Sequence, residues 1–300
     1  MPRSIRTRSD SFWFWMLAGP ALVGCLAFNV GPMVESLWLS FTKYDVVSPP
    51  QFIGTRNYSY LLMRDPAFWP SVIVTTIYAA VSVPLSLLGA LAVALLLNRK
   101  VVGQGVFRTI YFLPSLLPAT ASGVVWVFIF HPTFGLLNRL LHFVGITGPA
   151  WTQSVTWALP ALIIMSLWGF GQPMVIFLAG LQDVPRSLYE AADLDGASPW
   201  QQFRNVTLPL ITPVLFFNLV MGLIGALKVF DSAYVFGSVS GTGPGGPARA
   251  TLFYALNLYQ KAFSYFHMGL ASAMAWLLFL AILLLTATNF WLGRRWVHSE

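Results

Sequence analysis

Long apolar runs that carry no charged side chain constrain this chain more than any other feature of its sequence. Residues 11–34 and 66–98 are uncharged, and so are residues 153–182. An α-helix needs roughly 20 apolar residues to cross the hydrocarbon core of a bilayer. We therefore predict an all-α membrane protein with six transmembrane helices, near residues 11–34, 71–97, 109–130, 155–181, 208–227 and 267–293.

The scarcity of charge supports the same conclusion. Charged side chains make up 9% of the 300 residues, whereas soluble domains carry about 25%. So few charges could not cover the surface of a water-soluble globule of this size, and most of the surface must therefore face lipid. The net charge of +7 does not indicate nucleic-acid binding, because the basic residues lie at the ends of apolar runs and do not cluster on a polar domain.

The distribution of Lys and Arg predicts the orientation in the membrane. If the N-terminus is cytoplasmic, ten of the seventeen basic residues lie in the inner segments, which are 1–10, 98–108, 182–205 and 294–300. The other seven are spread over outer loops of about twice that total length, so the positive-inside rule favours cytoplasmic N- and C-termini. The predicted parts are the N-terminus with the first span and outer loop (1–70), a five-helix core (71–293) and a cytoplasmic tail (294–300).

Two short motifs suggest other functions but fail in their context. LVGC at 22–25 resembles the end of a cleaved signal segment, yet the apolar run continues through Cys25 to Met33 and is long enough to span. A cleaved N-terminus remains the alternative interpretation of this segment. GTGPGG at 241–246 matches a dinucleotide-binding glycine pattern, but it follows no buried strand and contains Pro244. A flexible outer loop is the prediction there.

No set of residues in the sequence is suited to catalysis or to metal binding. The four histidines are scattered without metal-ligand spacing. No lysine follows a glycine, as a phosphate-binding G-K-[ST] loop would require. The predicted spans are nearly free of ionisable residues, although ion-coupled carriers keep such residues at membrane depth. We therefore predict that the chain is not an enzyme, has no catalytic or metal site, and takes its energy from a partner.

A charged segment between the fourth and fifth predicted spans interrupts the apolar pattern. Asp183 is the predicted N-cap of a helix that has Pro185 in its first turn and runs to Leu194. Gly196 suits the left-handed residue that ends a helix. The pair Ser198–Pro199 is typical of the start of a second helix. The pattern predicts two short cytoplasmic helices joined by a sharp turn at Gly196.

This segment resembles the coupling loop of the permease subunits of ABC importers. The motif that carries the resemblance is E-A-A, with a Gly six residues after the Glu and L-P twelve residues further on. The resemblance implies that the two helices dock in a cleft of a cytoplasmic ATPase. The residues to which it assigns this coupling are Glu190, Ala191, Ala192, Asp193, Gly196, Leu208 and Pro209.

Four further motifs resemble the sugar-type branch of that family, which includes maltose and glycerol-3-phosphate permeases. They are F-x-G-x-x-N-Y at 52–58, FRTIYFLPSLLP at 107–118, G-L-L-N at 135–138, and F-D at 230–231 followed by G-G-P at 245–247. The resemblance covers nearly the whole chain. The loop before G-G-P is extended by VSGTGPG, and no large outer domain separates the spans, so the outer face can differ from that of relatives.

The resemblance implies that the chain works in an assembly in the plasma (inner) membrane. Its partners would be membrane lipid, a second permease subunit, a dimer of ATPase subunits and an extracytoplasmic solute-binding protein that delivers the substrate. The ATPase would bind ATP and Mg²⁺, and this chain would bind no cofactor. Glu190 would meet a basic group of the ATPase, or else cap its own helix with Ser187 in an S-x-x-E box. Both roles remain open.

The resemblance also implies that spans three to five line a sugar path. Sugars are bound by hydrogen bonds and by stacking on aromatic rings, and the candidate path residues are Ser115, Trp168, Gln172 and Asn218. Each could instead bond or pack between helices, because a polar group in hydrocarbon needs a partner. Without a basic cluster, a neutral mono- or oligosaccharide is favoured over glycerol phosphate or another polyol. An ion-coupled secondary carrier is the alternative from another class, and inverted repeats with broken helices would indicate it.

Overall fold

The computed structural model of the protein describes residues 8–99 and 102–294, with their side chains from Phe12 onward. Most of these residues are helical. Several basic side chains on which the predicted orientation depends lie outside the described set, namely Arg3, Arg6, Arg8, Lys100 and Arg295. The predicted tail at 294–300 also lies outside it, except for Arg294.

The first half of the chain contains a long N-terminal helical segment, a short hairpin and the first helices of the bundle. A π-helical turn, Leu26–Val30, joins the first two helices, and a 3-10 turn, Leu113–Leu116, follows the fifth. Strands β1 (Thr42–Lys43) and β2 (Gln51–Phe52) pair antiparallel. The helices are α1 (Arg8–Cys25), α2 (Gly31–Ser40), α3 (Arg56–Met63), α4 (Phe68–Leu97), α5 (Gln104–Phe112), α6 (Ala119–Ile129) and α7 (Leu136–Phe143).

The second half is helical throughout, with short irregular connections. π-helical turns at Phe203–Thr207 and Gln260–Ser264 and a 3-10 turn at Pro247–Arg249 lie between the helices. The helices are α8 (Ala158–Leu167), α9 (Gly171–Asp183), α10 (Arg186–Leu194), α11 (Pro199–Gln202), α12 (Leu208–Leu210), α13 (Thr212–Leu227), α14 (Asp231–Val239), α15 (Tyr254–Tyr259) and α16 (Met268–Gly293).

Three helical segments are long and apolar enough to cross a membrane without a break: Phe12–Ser40, Phe68–Leu97 and Met268–Gly293. Three bent pairs would raise the number to six if each pair is one span. The bends are 100° before α6, 42° between α8 and α9, and 65° before α13. The predicted third, fourth and fifth spans thus each correspond to a pair of helices separated by a bend.

Prolines account for part of these bends. Leu117 and Pro118 have extended ψ angles of 136° and 138° and separate the two arms of the third span. Leu117 is extended because the residue before a proline disfavours helical geometry. Pro160 and Pro173 are the third residues of α8 and α9, where a missing N–H breaks no intrahelical bond. Pro20 and Pro84 lie in the interior of α1 and α4.

Contacts divide the chain into two units, which we describe separately. The larger unit, residues 65–257 with 280–300, is built around α4, which packs on α8, α9 and α13. One apolar cluster surrounds Val83 in the middle of α4, and a second surrounds Ala94 near its end.

Small residues permit close helix approach in membranes. A Cβ on Gly180 of α9 would lie 2.7 Å from a methyl of Val214, so this glycine lets α9 meet α13.

The smaller unit, residues 1–64 with 258–279, contains the F-x-G-x-x-N-Y motif. The buried amide of Asn57 donates to the carbonyl oxygens of Ser40 and Thr42, at 2.8 Å each, and the hydroxyl of Tyr58 donates to that of Ser40 at 2.7 Å. These bonds hold the chain where α2 ends and β1 begins. The motif therefore has a structural role: it fixes the path of the backbone as it leaves the first span.

The G-L-L-N motif has a similar role in the larger unit. The Asn138 amide donates to the carbonyl oxygens of Pro132 (3.0 Å) and Pro149 (3.1 Å) and accepts the indole N–H of Trp151 at 2.7 Å. The motif thus closes the loops on either side of α7. In the GTGPGG loop, four glycines have left-handed φ angles between 69° and 103°. They make a series of tight turns, and no strand leads into them.

Candidate functional site

The charged segment folds as two short helices, as expected, but its first helix begins differently. Asp183 is the last residue of α9 and not the N-cap of α10; Pro185 takes the N-cap position, without a side-chain bond. The reason is that Val184 precedes a proline and takes the extended geometry that this position favours (ψ 122°). The predicted cap at Asp183 is therefore wrong, whereas the predicted end of the helix at Leu194 is confirmed.

The turn between the two helices has the geometry that the sequence predicts. Gly196 has φ +73°, and the N–H groups of Gly196 and Ala197 donate to the carbonyls of Asp193 and Ala192, at 3.0 and 2.9 Å. This pair of bonds is a Schellman ending of α10. Ser198 then caps α11, and its side chain and that of Gln201 bond each other's backbone N–H groups reciprocally. Both terminal signals are confirmed.

We call residues 186–210, which include α10, the turn, α11 and α12, the elbow. The side chain of Gln202 donates to the Asp193 carboxylate and to the Ala197 carbonyl, which ties α11 to α10. The hydroxyls of Tyr189 and Thr207 share a hydrogen bond of 2.9 Å. These bonds join the two arms of the elbow directly, and Asp193 takes part in one of them.

The Leu208–Pro209 pair lies at the joint between the elbow and α13. The π-helical turn before it bonds the Leu208 N–H to the Phe203 carbonyl, and the proline that follows has no N–H to donate. The chain then bends by 65° at the fully buried Ile211. Both residues of the pair are half-buried. The sequence assigns them to the coupling loop, and the structure places them where the loop meets the span.

The outer surface of the elbow carries the acidic residues together with large apolar side chains. Glu190 is exposed and lines a cavity of about 500 Å³ that Arg186 and Asp193 also line. Leu194 is 90% exposed and Trp200 67% exposed. Ala191 is exposed and Ala192 is half-buried. Each side chain is a single methyl group, so neither blocks the approach of a partner to this surface. The elbow thus presents apolar contact area and charge next to each other.

The alternative role of Glu190 as a partner in a capping box is wrong. Ser187 is the second residue of α10, and the position before the helix belongs to Pro185. A capping box needs its Ser at the N-cap. Glu190 therefore does not serve α10 in that way.

A cavity of about 470 Å³ lies between α4, α8, α9 and α13 in the larger unit. Gln172 and Asn218 both line it, so the structure brings together two of the four predicted path residues. The Asn218 amide donates to the Val214 carbonyl of its own helix at 3.1 Å. Polar side chains of other elements complete the lining: Tyr78, Ser82, Ser86 and Ser166. All the side chains described as lining this cavity are uncharged.

The other two predicted path residues do not line this cavity. The Ser115 hydroxyl donates to the Phe112 carbonyl at 2.6 Å. Trp168 packs edge-on against Trp126, with ring centroids 5.8 Å apart. Sequence reasoning missed the polar stripe of α4, Tyr78, Ser82 and Ser86, although the spacing of four puts these residues on one helix face. That spacing inside an apolar span was a signal that could have identified them.

Among residues 8–99 and 102–294, no three His, Cys, Asp or Glu side chains lie close enough to hold a metal ion. The arrangement that remains is a bundle of apolar spans, a neutral polar cavity between helices, and a polar elbow joined to one of them. These features define a membrane-embedded transport subunit. A bacterial ABC transporter that imports the acidic polysaccharide alginate has the same fold: one of its chains matches with TM-score 0.80, over 96% of this chain and 98% of that one, at 21% identity.

The chain belongs to the family of binding-protein-dependent transport system inner membrane components, whose model matches residues 82–298. It is 43% identical, over all of its length and 96% of the relative's, to a probable ABC transporter permease protein, YesP, of Bacillus subtilis. It is 35% identical, over 93% of each chain, to the trehalose/maltose transport system permease protein MalF of Thermococcus litoralis. The protein is thus a multi-pass inner-membrane permease component and not an enzyme.

Proposed function

We propose that this chain is the permease subunit through which an ATP-driven, binding-protein-dependent importer moves a neutral sugar. The observation that carries the proposal is the uncharged polar cavity. Its volume of about 470 Å³ falls within the range of small-molecule sites, about 300–1,000 Å³. Hydroxyl and amide groups in an apolar wall suit a ligand that is itself rich in hydroxyls, because each buried polar group then finds a partner.

The relatives favour the same substrate class. Besides the trehalose/maltose permease, the chain is 33% identical to the lactose transport system permease protein LacF of Rhizobium radiobacter and 31% identical to a probable permease for starch degradation products of Thermoanaerobacterium thermosulfurigenes. Glycerol phosphate or another charged polyol is the second candidate. The cavity offers such a substrate no cationic side chain, and on that ground we place it second.

The elbow is the proposed receptor for the ATPase. The exposed Trp200 is of a residue type that is enriched in protein-binding hot spots, and the exposed Leu194 adds apolar contact area beside the acidic residues. The hydrogen bonds between its arms would transmit a push on α10 to α13 through the Leu208–Pro209 joint. In this proposal ATP and Mg²⁺ bind to the ATPase dimer and this chain binds no cofactor. Glu190 faces a basic group of the ATPase cleft.

The remaining features of the assembly belong to the same proposal. Each bent pair is one span, which makes six, and both termini and the elbow face the cytoplasm, as the positive-inside rule favours. A second permease subunit completes the pathway, and a solute-binding protein delivers the sugar. A solved alginate transporter of this fold is bound to its periplasmic protein, which carries an alginate pentasaccharide.

The proposal is tested in proteoliposomes that contain the purified complex of this chain with its second permease subunit and its ATPase. Uptake of labelled trehalose, maltose or lactose should require internal ATP and the loaded binding protein. Gln172→Ala should raise the apparent KM for the sugar by about two- to thirteenfold, because one hydrogen bond contributes about 0.5–1.5 kcal/mol. Ser115→Ala, outside the cavity, is the matched control and should leave the KM unchanged.

Two results would overturn the proposal. Uptake driven by an ion gradient alone, without ATP, would assign the chain to the secondary carriers. Efficient uptake of glycerol phosphate with none of the three sugars would move the substrate to the second candidate.

A further inference from the structure

A second cavity, of about 540 Å³, lies in the smaller unit beside the β1–β2 hairpin and the start of α16. Two lysines, Lys43 and Lys261, line it together with His267. Two exposed tyrosines, Tyr60 and Tyr265, also line it. It shares no residue with the cavity of the larger unit or with the elbow. Neither sugar conduction nor coupling to an ATPase requires such a site.

The backbone around this cavity is held in place from several directions. The amide of Gly269, in the first turn of α16, donates to the Tyr44 carbonyl at 3.2 Å. A Cβ on Gly269 would collide with the Thr42 carbonyl, so only glycine lets β1 lie this close to α16. Asn57, a buried residue of the lining, donates to the same carbonyl oxygen. These contacts therefore hold the backbone around the cationic side chains in place.

The charge of the lining is positive. Asp45 is the carboxylate among the lining residues, and it accepts the Ser48 backbone N–H at 2.8 Å. The Asp45 carboxylate is ionised at neutral pH, as aspartates ordinarily are, and this hydrogen bond lowers its pKa further. Lys43 and Lys261 against Asp45 leave one net positive charge. The N-terminus of the 26-residue helix α16 adds about half an elementary charge of the same sign.

The cavity lies at the level where the chain enters and leaves the apolar spans. The first candidate span ends at Ser40, just before β1, and the last begins at Met268, directly after His267. Tyr265, which lines the cavity, is exposed, and so is Trp38, two residues before the end of the first candidate span at Ser40. Trp and Tyr concentrate at the height of lipid headgroups in membrane proteins. Apolar side chains of α2, among them Val34, are also exposed.

We propose that this cavity binds the phosphate headgroup of an anionic phospholipid. A phosphodiester carries one negative charge, which matches the net charge of the lining, and it accepts hydrogen bonds from ammonium and phenol groups. The cavity lies next to the ends of two candidate spans, where a lipid headgroup would lie. The exposed apolar side chains of α2 provide a surface for the acyl chains. A soluble anion would gain nothing from that surface. The lipid belongs to the outer leaflet in the topology proposed above, but the site does not depend on which sugar is transported.

The test measures lipid retention by the full-length chain in detergent, using native mass spectrometry with dioleoyl phosphatidylglycerol and dioleoyl phosphatidylcholine as probes. The wild-type chain should retain phosphatidylglycerol in preference to phosphatidylcholine. Each lysine near a membrane surface contributes about fivefold to anionic lipid binding. The double variant Lys43→Gln/Lys261→Gln should therefore lose about 25-fold in apparent phosphatidylglycerol affinity, and Lys43→Arg/Lys261→Arg should keep most of it.

Arg56→Gln is the matched control, because Arg56 is an exposed cation on α3 of the same unit that does not line the cavity. It should retain the lipid as the wild type does. Equal retention of the two lipids, or an equal loss in the Arg56 variant, would overturn the proposal. Saturable binding of inorganic phosphate with the same lysine dependence and no lipid preference would assign the cavity to a soluble anion and would also overturn it.

Discussion

Gly196 offers the sharpest test of the elbow, because its replacement strains the backbone of the turn without a clash inside the chain. Its φ is +73°, and a Cβ built on it meets no atom within 4 Å. A side chain there therefore adds strain without a steric clash. Left-handed geometry costs an L-residue with a Cβ about 1–2 kcal/mol, less for Asn and more for a β-branched residue. The series Gly196→Asn, Gly196→Ala and Gly196→Val thus applies increasing strain at one point.

The expected effect follows from that strain. We assume that the elbow binds the ATPase only when the turn at Gly196 has its native conformation. If that conformation is only marginally favoured, a cost of about 1–2 kcal/mol for Gly196→Ala lowers the fraction of chains that can bind by up to about 5- to 30-fold. Sugar-stimulated ATPase activity of the reconstituted complex, measured against ATPase concentration, should fall in the order Asn, Ala, Val. Basal ATPase activity and membrane insertion should not change.

The control is Gly105→Ala, at a helical glycine of α5 whose Cβ also meets no atom within 4 Å. Alanine in a helix is more favourable than glycine by about 1 kcal/mol, so this variant should keep full coupling. Full coupling in Gly196→Val, or a loss that does not follow the order of strain, would refute the reasoning that the left-handed turn sets the docking geometry.

Three further predictions concern single contacts. Leu194→Asp and Glu190→Lys should each abolish copurification of the ATPase without crosslinker while leaving the detergent-solubilised chain monodisperse; an intact complex would show that docking uses another surface. Asn57→Ala should lower the thermal unfolding temperature of the chain, since two buried carbonyl oxygens lose their donor at a cost of about 1–3 kcal/mol, and an unchanged temperature would contradict the structural role of its motif. Asn138→Ala should lower the thermal unfolding temperature in the same way, because its amide no longer bonds the chain on either side of α7, whereas an unchanged temperature would mean that the loops around α7 are held by other contacts.

Local signals in the sequence predicted what depends on local physics. Apolar runs revealed the spans because the length of hydrocarbon to be crossed is a fixed requirement. The end of α10 at Gly196 and the start of α11 at Ser198 followed from residue types whose backbone preferences and hydrogen bonds act within a few positions. The prediction that Asp183 caps α10 is wrong because α9 continues through Asp183, the last residue before the extended Val184.

Tertiary packing decided the rest. Prolines account for part of the bends in three spans, but the sequence does not show which helices lie alongside the bent segments. The cavity joins Tyr78 of α4 to Gln172 of α9 and Asn218 of α13, which are far apart in the chain and meet only because glycines such as Gly180 let these helices approach. The sequence alone determined that this chain lives in a membrane and carries a charged elbow, because solvent transfer and turn geometry are properties of short segments. Only the folded structure decided which polar groups face the same space, because that depends on helix packing across the whole bundle.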